Sequence, residues 1–498
     1  MSGSQQKKLR QQQRAEGTEK HLVAQKKAEK KAKTHKIRTA IISVVAVIVI
    51  VAVFLVTSSF FNTNFSAVTI GEHSFTAAEY SFFYRSEYFQ FVNNYGDYLE
   101  MFGLDTTKPL SAQKFGEDQT WEEYFKEAAL SSMANTVMAC DEAEKAGFKL
   151  TEEQQASLDE SLEGLKTSNS GSDFPTADKF LSANYGKGLD VKTVGKLIEM
   201  STIAQAYLSE KNASFTYTDA QLLDYYTANK DTLDSFTYVS YYADGAENTE
   251  DGIDSKTAME KAKKDADALV KDADTAAKFK ATATALSGSE VSESTTAGSE
   301  LSSVYADWLR DSSRKEGDKT VIESETGYYA LYYISHEDNN YPTKNVRHIL
   351  IKAVASDDGT YSDEAKETAK EKAEELLAKW EAGEKTEDSF AKLATENTED
   401  TGSKEKGGLY ENVYKGRMVK EFNGWLFDET HKKGDTGIVY NESTEYCGYH
   451  VMYYVGEGRN YRLVLAEPKL RNEDFSKWRE EAIKAYTPTT GFTATFVG

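Results

Sequence analysis

The sequence predicts an α+β protein built in series: an N-terminal transmembrane helix, a mainly helical domain, and two α+β domains that repeat one another, the first degenerate. Three observations carry this. A charge-free apolar run follows a strongly basic start, helix-capping signals crowd the region after it, and two later segments share residues at a constant offset of 117. With 498 residues, 28% charged and 39% hydrophobic, the chain is long enough for about three domains and too balanced to be disordered or fibrous throughout. Five prolines and 32 glycines exclude collagen-like and proline-rich readings, and a net charge of -22 argues against nucleic acid as a partner. Cys140 and Cys447 stand 307 positions apart, which excludes a disulfide scaffold and a tetrathiolate zinc site within one chain.

The charge is uneven. Residues 1–38 hold 12 Lys and Arg against three Glu, a balance of +9 that leaves -31 for the other 460 residues. No ionisable residue occurs in 39–71, and 40–56 is almost wholly β-branched or apolar, close to the ~20 residues that span a bilayer. The sequence therefore predicts a basic cytoplasmic segment (1–38) and a transmembrane helix (39–61). A buried core helix would seldom be apolar on every face. A cleaved signal peptide is the stronger rival, but the basic region exceeds an ordinary n-region and no Cys follows the run to carry a lipid. The positive-inside rule puts the N-terminus in the cytoplasm and the bulk of the chain outside.

Residues 62–215 read as a helical domain. Thr76 and Glu79 form a capping box with Phe75 and Tyr80 as its hydrophobic staple, and Thr120 with Glu123 opens a second helix that Gly147 can close. Eleven Phe or Tyr fall between 75 and 102, more than one helix face can bury. They imply packing on another helix or on the C-terminal segment, with an apolar groove for unfolded chain as the second reading.

The repeat defines the rest. Trp308-Leu309-Arg310-Asp311 with Lys315, Gly317 and Asp318 matches Trp425-Leu426-Phe427-Asp428 with Lys432, Gly434 and Asp435. Upstream, Ala258, Ala262, Ala266 and Leu269 repeat the spacing of Ala365, Ala369, Ala373 and Leu376. The copies are expected at 216–340 and 341–460, followed by a C-terminal helix and tail at 461–498. In the second copy, 346–352 is a short apolar strand, and Ser362 caps a helix that runs to Gly383. Phe390 and Leu393 mark another helix and 401–408 a glycine-containing loop. Val419, Phe422, Trp425 and Leu426 line a third helix, and 448–455 is a closing strand. Helical connections between strands give an α+β domain with a small sheet.

Arg347-His348-Ile349-Leu350-Ile351, Phe390-Ala391-Lys392-Leu393-Ala394, Gly407-Gly408-Leu409, Met418-Val419-Lys420-Glu421-Phe422, Gly434-Asp435 and Gly448-Tyr449-His450-Val451 occur in an order that resembles the parvulin-type (PpiC, rotamase) peptidyl-prolyl isomerase domain. The resemblance is strong over 341–458. It extends to 217–338 as a degenerate copy, and more weakly to 65–215 as the helical chaperone region of PrsA- and SurA-type foldases. It implies that His348 and His450 are paired inner histidines, Asp400 a polar residue facing the peptide, Met418 and Phe422 the proline pocket, and Leu409 a pocket wall. Glu445, Tyr446 and Cys447 depart from the family pattern.

The residue types suit that chemistry independently. Rotation about an X-Pro bond faces a barrier of ~18–20 kcal/mol from amide resonance, and no bond need break. An apolar pocket can hold the pyrrolidine ring and favour the less polar twisted amide, while two histidines sharing a proton tune polarity around Asp400. Alternatives stand beside each choice: Met418, Phe422 and Trp425 at helical spacing are ordinary core positions, and His348 and His450 could be structural. Cys447 with His450 lacks the second ligand pair of a zinc site, so no metal or cofactor is expected. The first copy has no His in 231–250 and carries Tyr329 in the place of His450, so it should be inactive. The expected function is a membrane-anchored isomerase and foldase for newly exported chains containing X-Pro bonds. The alternative is a holding chaperone without turnover.

Overall fold

The computed structural model describes residues 3–57, 59–247, 253–357, 359–443 and 446–498, in two compact units: the chain up to Ser214 together with Phe475–Gly498, and Phe215–Asp474. Glu445, one of the departures from the family pattern, lies outside the described residues, as do the side chains of 51–58.

In the first unit, one helix runs Gly3–Thr57. Its described apolar side chains point outward along the whole run, Ile42 being 68% and Ile50 67% exposed. Among the described residues no helix is long and apolar enough to cross a membrane; the span expected at 39–61 includes the undescribed side chains of 51–58.

Both capping boxes form. Thr76 Oγ1 accepts from the Glu79 amide and opens the helix Ala77–Tyr95, with Phe75 and Tyr80 buried beside it. Thr120 and Glu123 open Trp121–Ala146, and Gly147 closes it in the left-handed conformation at φ 66°, which glycine adopts without steric cost. The aromatic surplus packs as the sequence favoured. Phe91 lies 5.1 Å from Trp121 and Tyr84 6.5 Å from Phe125 between ring centroids, and Tyr486 and Val497 complete the same core. Three of the eleven, Tyr95, Tyr98 and Phe102, stay exposed, as does Met101.

Two findings differ from expectation. The region read as helical also holds strands Ser66–Ile70 and His73–Thr76, paired with a third, Thr489–Thr490, across the register Val68 to Thr490. These strands are too short to show a periodicity, and one partner lies about 420 positions away. Moreover 461–498, expected as a helix and tail, divides between the two units. The helix Tyr461–Ala482 crosses the unit boundary, and Phe475–Gly498 belongs to the first unit because Tyr486 and Val497 are part of its core.

The second unit contains two four-stranded antiparallel sheets of identical connectivity. In the first, Ser235–Asp244 lies between Ser294–Ala297 and Gly327–Glu337, and Lys319–Ser324 forms the far edge. In the second, Pro342–Lys352 lies between Leu409–Val413 and Cys447–Asn460, and Thr436–Glu442 forms the far edge. The two central strands of the second sheet are buried on both faces. Ile349, Ile351, Val451 and Tyr453 face a core shared with the helices Asp363–Ala382 and Glu387–Asn397. Val346 and Met452 share the opposite core with Phe422 and Leu426 of the helix Lys420–Leu426. Double burial explains why 349–351 reads as an unbroken apolar run and not as an alternation.

Candidate active site

The candidate site lies on the sheet face covered by the helix Lys420–Leu426. Antiparallel register sets His450 opposite Leu350, and Met452 opposite His348, so strand parity turns both imidazoles to that face. Their Nδ1 atoms stand 3.1 Å apart and both residues are 3% exposed. Phe422, 2% exposed, meets both rings edge-on, at centroid distances of 5.4 Å to His348 and 5.2 Å to His450.

Asp400 completes a chain of hydrogen bonds. Its Oδ2 accepts from His348 Nε2 at 2.9 Å, Ser403 Oγ at 2.5 Å and the Tyr410 hydroxyl at 2.9 Å. The His348 bond, supported by Ser403 and Tyr410, holds its carboxyl well below the usual carboxylate range, so it is an acceptor only at neutral pH. At the other end the Tyr446 hydroxyl lies 3.1 Å from His450 Nε2. Burial, then the adjacent His348, pushes His450 down to about 3, which keeps it neutral. Burial, followed by the bond to Asp400, raises Tyr410 to about 12.

One polarity that satisfies every partner has Tyr446 donating to His450 Nε2, His450 Nδ1 donating to His348 Nδ1, and His348 Nε2 donating to Asp400. The chain fixes tautomers and ring orientation without supplying a strong base.

The loop carrying Asp400 is clamped to the strand beneath it. Thr398, buried, accepts from the Leu350 amide at 3.0 Å and from the Asp400 amide at 3.2 Å. Arg347 pairs with Glu387 at 3.1 Å and donates to the carbonyls of Lys406 and Gly407 at 2.8 and 3.0 Å. Gly408, at φ 72°, lets the backbones close up: its carbonyl accepts the His348 amide at 2.9 Å, and a Cβ there would lie 2.2 Å from the His348 carbonyl oxygen. Any side chain at 408 would push the loop and Asp400 off the histidine.

A cavity of about 300 Å³ opens over this chain, with His348, Asp400, Tyr410, Met418, Phe422 and His450 in its lining. Five of the six sequence-selected residues thus meet at one cleft. Leu409 does not. It pairs with Arg347, whereas Tyr410 pairs with Val346, so alternation turns Tyr410 to the His348 face and Leu409 to the other. The sequence reading passed from the Gly407-Gly408 loop to a helix without the strand Leu409–Val413, and so had no parity to apply. Ser403 and Thr398 were missed as well, and only the spacing from Asp400 hints at them.

The first copy shows the same frame with different contents. Asp244 pairs with Gly327 as Lys352 pairs with Gly448. Counted from those pairs, Tyr329 occupies the place of His450, and Ser240 that of His348. The Tyr329 ring lies 5.3 Å from Tyr305 and 4.8 Å from Tyr242, and Tyr305 stands where the 117-residue offset puts Phe422. A serine and a tyrosine therefore replace the imidazole pair.

Comparison with known proteins places a family match over this segment. The family model of the PPIC-type PPIASE domain matches residues 329–454. The foldase protein PrsA 3 of Bacillus cereus is 34% identical over 139 residues, covering 28% of this chain and 40% of that protein. PrsA 3 of Bacillus anthracis is 35% identical over 116 residues, 23% of this chain and 32% of its own length. The chain thus spans less than half the length of these curated relatives. The crystal structure of PrsA from Bacillus subtilis aligns over 74% of this chain and 88% of its own at 15% identity, with a TM-score of 0.28. The segment holding the histidine pair is similar to PPIC-type isomerase domains, and the chain is similar to PrsA foldases over part of its length.

Proposed function

We propose, from its parvulin-type segment, that the chain is a membrane-anchored peptidyl-prolyl cis-trans isomerase and foldase acting on newly exported polypeptides outside the cytoplasmic membrane, with residues 341–460 as its catalytic domain. The observation that carries the reading is the Tyr446–His450–His348–Asp400 chain under Phe422, in a segment matched by the PPIC-type PPIASE model. In this reading Met418 and Phe422 hold the proline ring against water. A planar amide loses resonance as it twists and becomes less polar, so a dry apolar wall favours the twisted state over the planar one. The neutral His450 and the triply bonded Asp400 carboxylate form a rigid floor that needs no proton transfer to the substrate.

Anchoring is supported by the continuous helix Gly3–Thr57, by its basic N-terminal flank and by the uncharged run 39–71; the positive-inside rule then sets the orientation. The first copy, with Tyr329 and Ser240 in place of the histidines, serves as a non-catalytic domain. A second reading, holding of unfolded chain without turnover, is favoured by the exposed Tyr98 (61%) and Met101 (75%) beside the aromatic helix. The test is catalysed exchange of an X-Pro peptide by the full chain in lipid vesicles. Acceleration that falls in Phe422→Ala supports the enzyme, whereas aggregation suppression with no acceleration at all leaves only the holding role.

A further inference from the structure

The two charge-free stretches of the first unit meet at one place. Residues 39–71 carry no ionisable side chain, and after Lys484 no Asp, Glu, Lys or Arg occurs up to Gly498. The strand Thr489–Thr490 pairs with Ser66–Ile70, the Gly491 amide donates to the Ala67 carbonyl at 2.7 Å, and Thr493 Oγ1 donates to the Ser66 carbonyl at 2.8 Å. These bonds set the turn Phe492–Phe496 beside the short helix Phe60–Asn64.

The product is a cluster of phenylalanines. Phe61 lies 5.6 Å from Phe60, 5.4 Å from Phe65 and 6.1 Å from Phe496, and Phe496 lies 5.4 Å from Phe492. Such contacts would ordinarily close into a core. Here Phe60 is 41%, Phe65 45%, Phe496 43% and Phe492 75% exposed. The unit has a well-filled core elsewhere, around Trp121 and Phe125, so this patch is not a shortage of packing partners but an apolar surface in its own right.

Chain length says what covers it. Phe60 follows Thr57, the last residue of the long helix, by three positions, and three residues reach at most about 11 Å. The interfacial layer on each side of a bilayer is roughly 5–8 Å deep. If the run 40–56 spans the hydrocarbon, Phe60 cannot lie beyond the neighbourhood of the headgroups, and the contacts above bring Phe65, Phe492 and Phe496 with it. Apolar and aromatic side chains suit the headgroup–acyl boundary.

We infer that Phe60, Phe65, Phe492 and Phe496 form a membrane-interface foot that seats the first unit on the outer leaflet. The inference rests on the anchor reading given under Proposed function. In it, the C-terminal segment both completes the core of that unit and makes a second contact with the lipid surface.

The full chain is reconstituted in vesicles carrying Phe492→Trp, a conservative change at an exposed position, and the added emission over wild type is compared in ordinary and brominated phosphatidylcholine. Flotation of the vesicles and a melting curve accompany each sample. The expected result is that the chain floats with the vesicles and the added emission loses its larger part to shallow bromine labels. A folded chain that fails to float overturns the anchor and the foot together. A chain that floats while the added emission is indifferent to bromine overturns the foot alone, and emission that instead tracks protein-to-lipid ratio gives the patch to a second copy of the chain.

Discussion

Truncating Phe422 to alanine tests the pocket at its most informative point. The side chain is 2% exposed and touches both imidazoles, so the variant has two separable effects. Loss of a buried phenyl costs ~3–5 kcal/mol of stability. The catalytic effect follows from the pocket. A proline ring presents three methylenes, each contributing ~0.8 kcal/mol on burial; with Met418 as the other apolar wall, about half of that contact belongs to Phe422. Losing ~1.2 kcal/mol at the twisted amide lowers kcat/KM roughly tenfold, and water admitted to His450 adds to the loss. The assay is the exchange rate of an X-Pro peptide over a range of enzyme concentrations, with melting curves at the assay temperature. Phe422→Leu keeps an apolar wall and should lie between the two. Full kcat/KM in a folded Phe422→Ala protein refutes the assignment of the cavity to proline.

Three further outcomes are expected. Because hydrogen bonding lowers the Asp400 carboxyl in the folded state, its stabilising contribution is complete above the ordinary Asp value of ~3.9 and is lost as pH falls below it; in urea unfolding, the stability gap between wild type and Asp400→Asn should be smaller at pH 3 than at pH 7, and an equal gap contradicts the ionised acceptor. Nitrogen-15 spectra at a pH where both rings are neutral should show the Nε2–H tautomer for His348 and the Nδ1–H tautomer for His450, and the reverse pattern would break the hydrogen-bond chain; Tyr446→Phe should release the His450 tautomer while leaving that of His348 in place. Replacing Tyr329 by Phe in the first copy should leave turnover unchanged, whereas a loss comparable to that of Phe422→Ala would move catalysis to the wrong copy.

Much of this was legible in the sequence because it is carried by local spacing. Capping boxes at Thr76 and Thr120 involve residues three apart, and the helix faces of 363–382 and 420–426 repeat at helical period. The offset of 117 marks two copies of one fold, whose sheets share one strand order. Parity across strands was not legible. Leu409 and Tyr410 differ in role only because of which residue of 342–352 each one faces, and that register comes from a strand hidden by its glycine-rich approach. The pairing of Thr489–Thr490 with Ser66–Ile70 was obscured for a different reason. Two-residue strands carry no pattern, and only the packing of Tyr486 and Val497 into a core at the other end of the chain explains them.

The central claim is that catalysed proline isomerisation occurs at the His348–His450 face of the second sheet. Exchange spectroscopy on an X-Pro peptide with the full chain, observed together with methyl-labelled methionines, tests it in one sample. The account predicts accelerated cis-trans exchange at substoichiometric protein together with a shift of the Met418 methyl signal. Absence of acceleration by a folded chain, or acceleration with the Met418 signal unmoved, would contradict it.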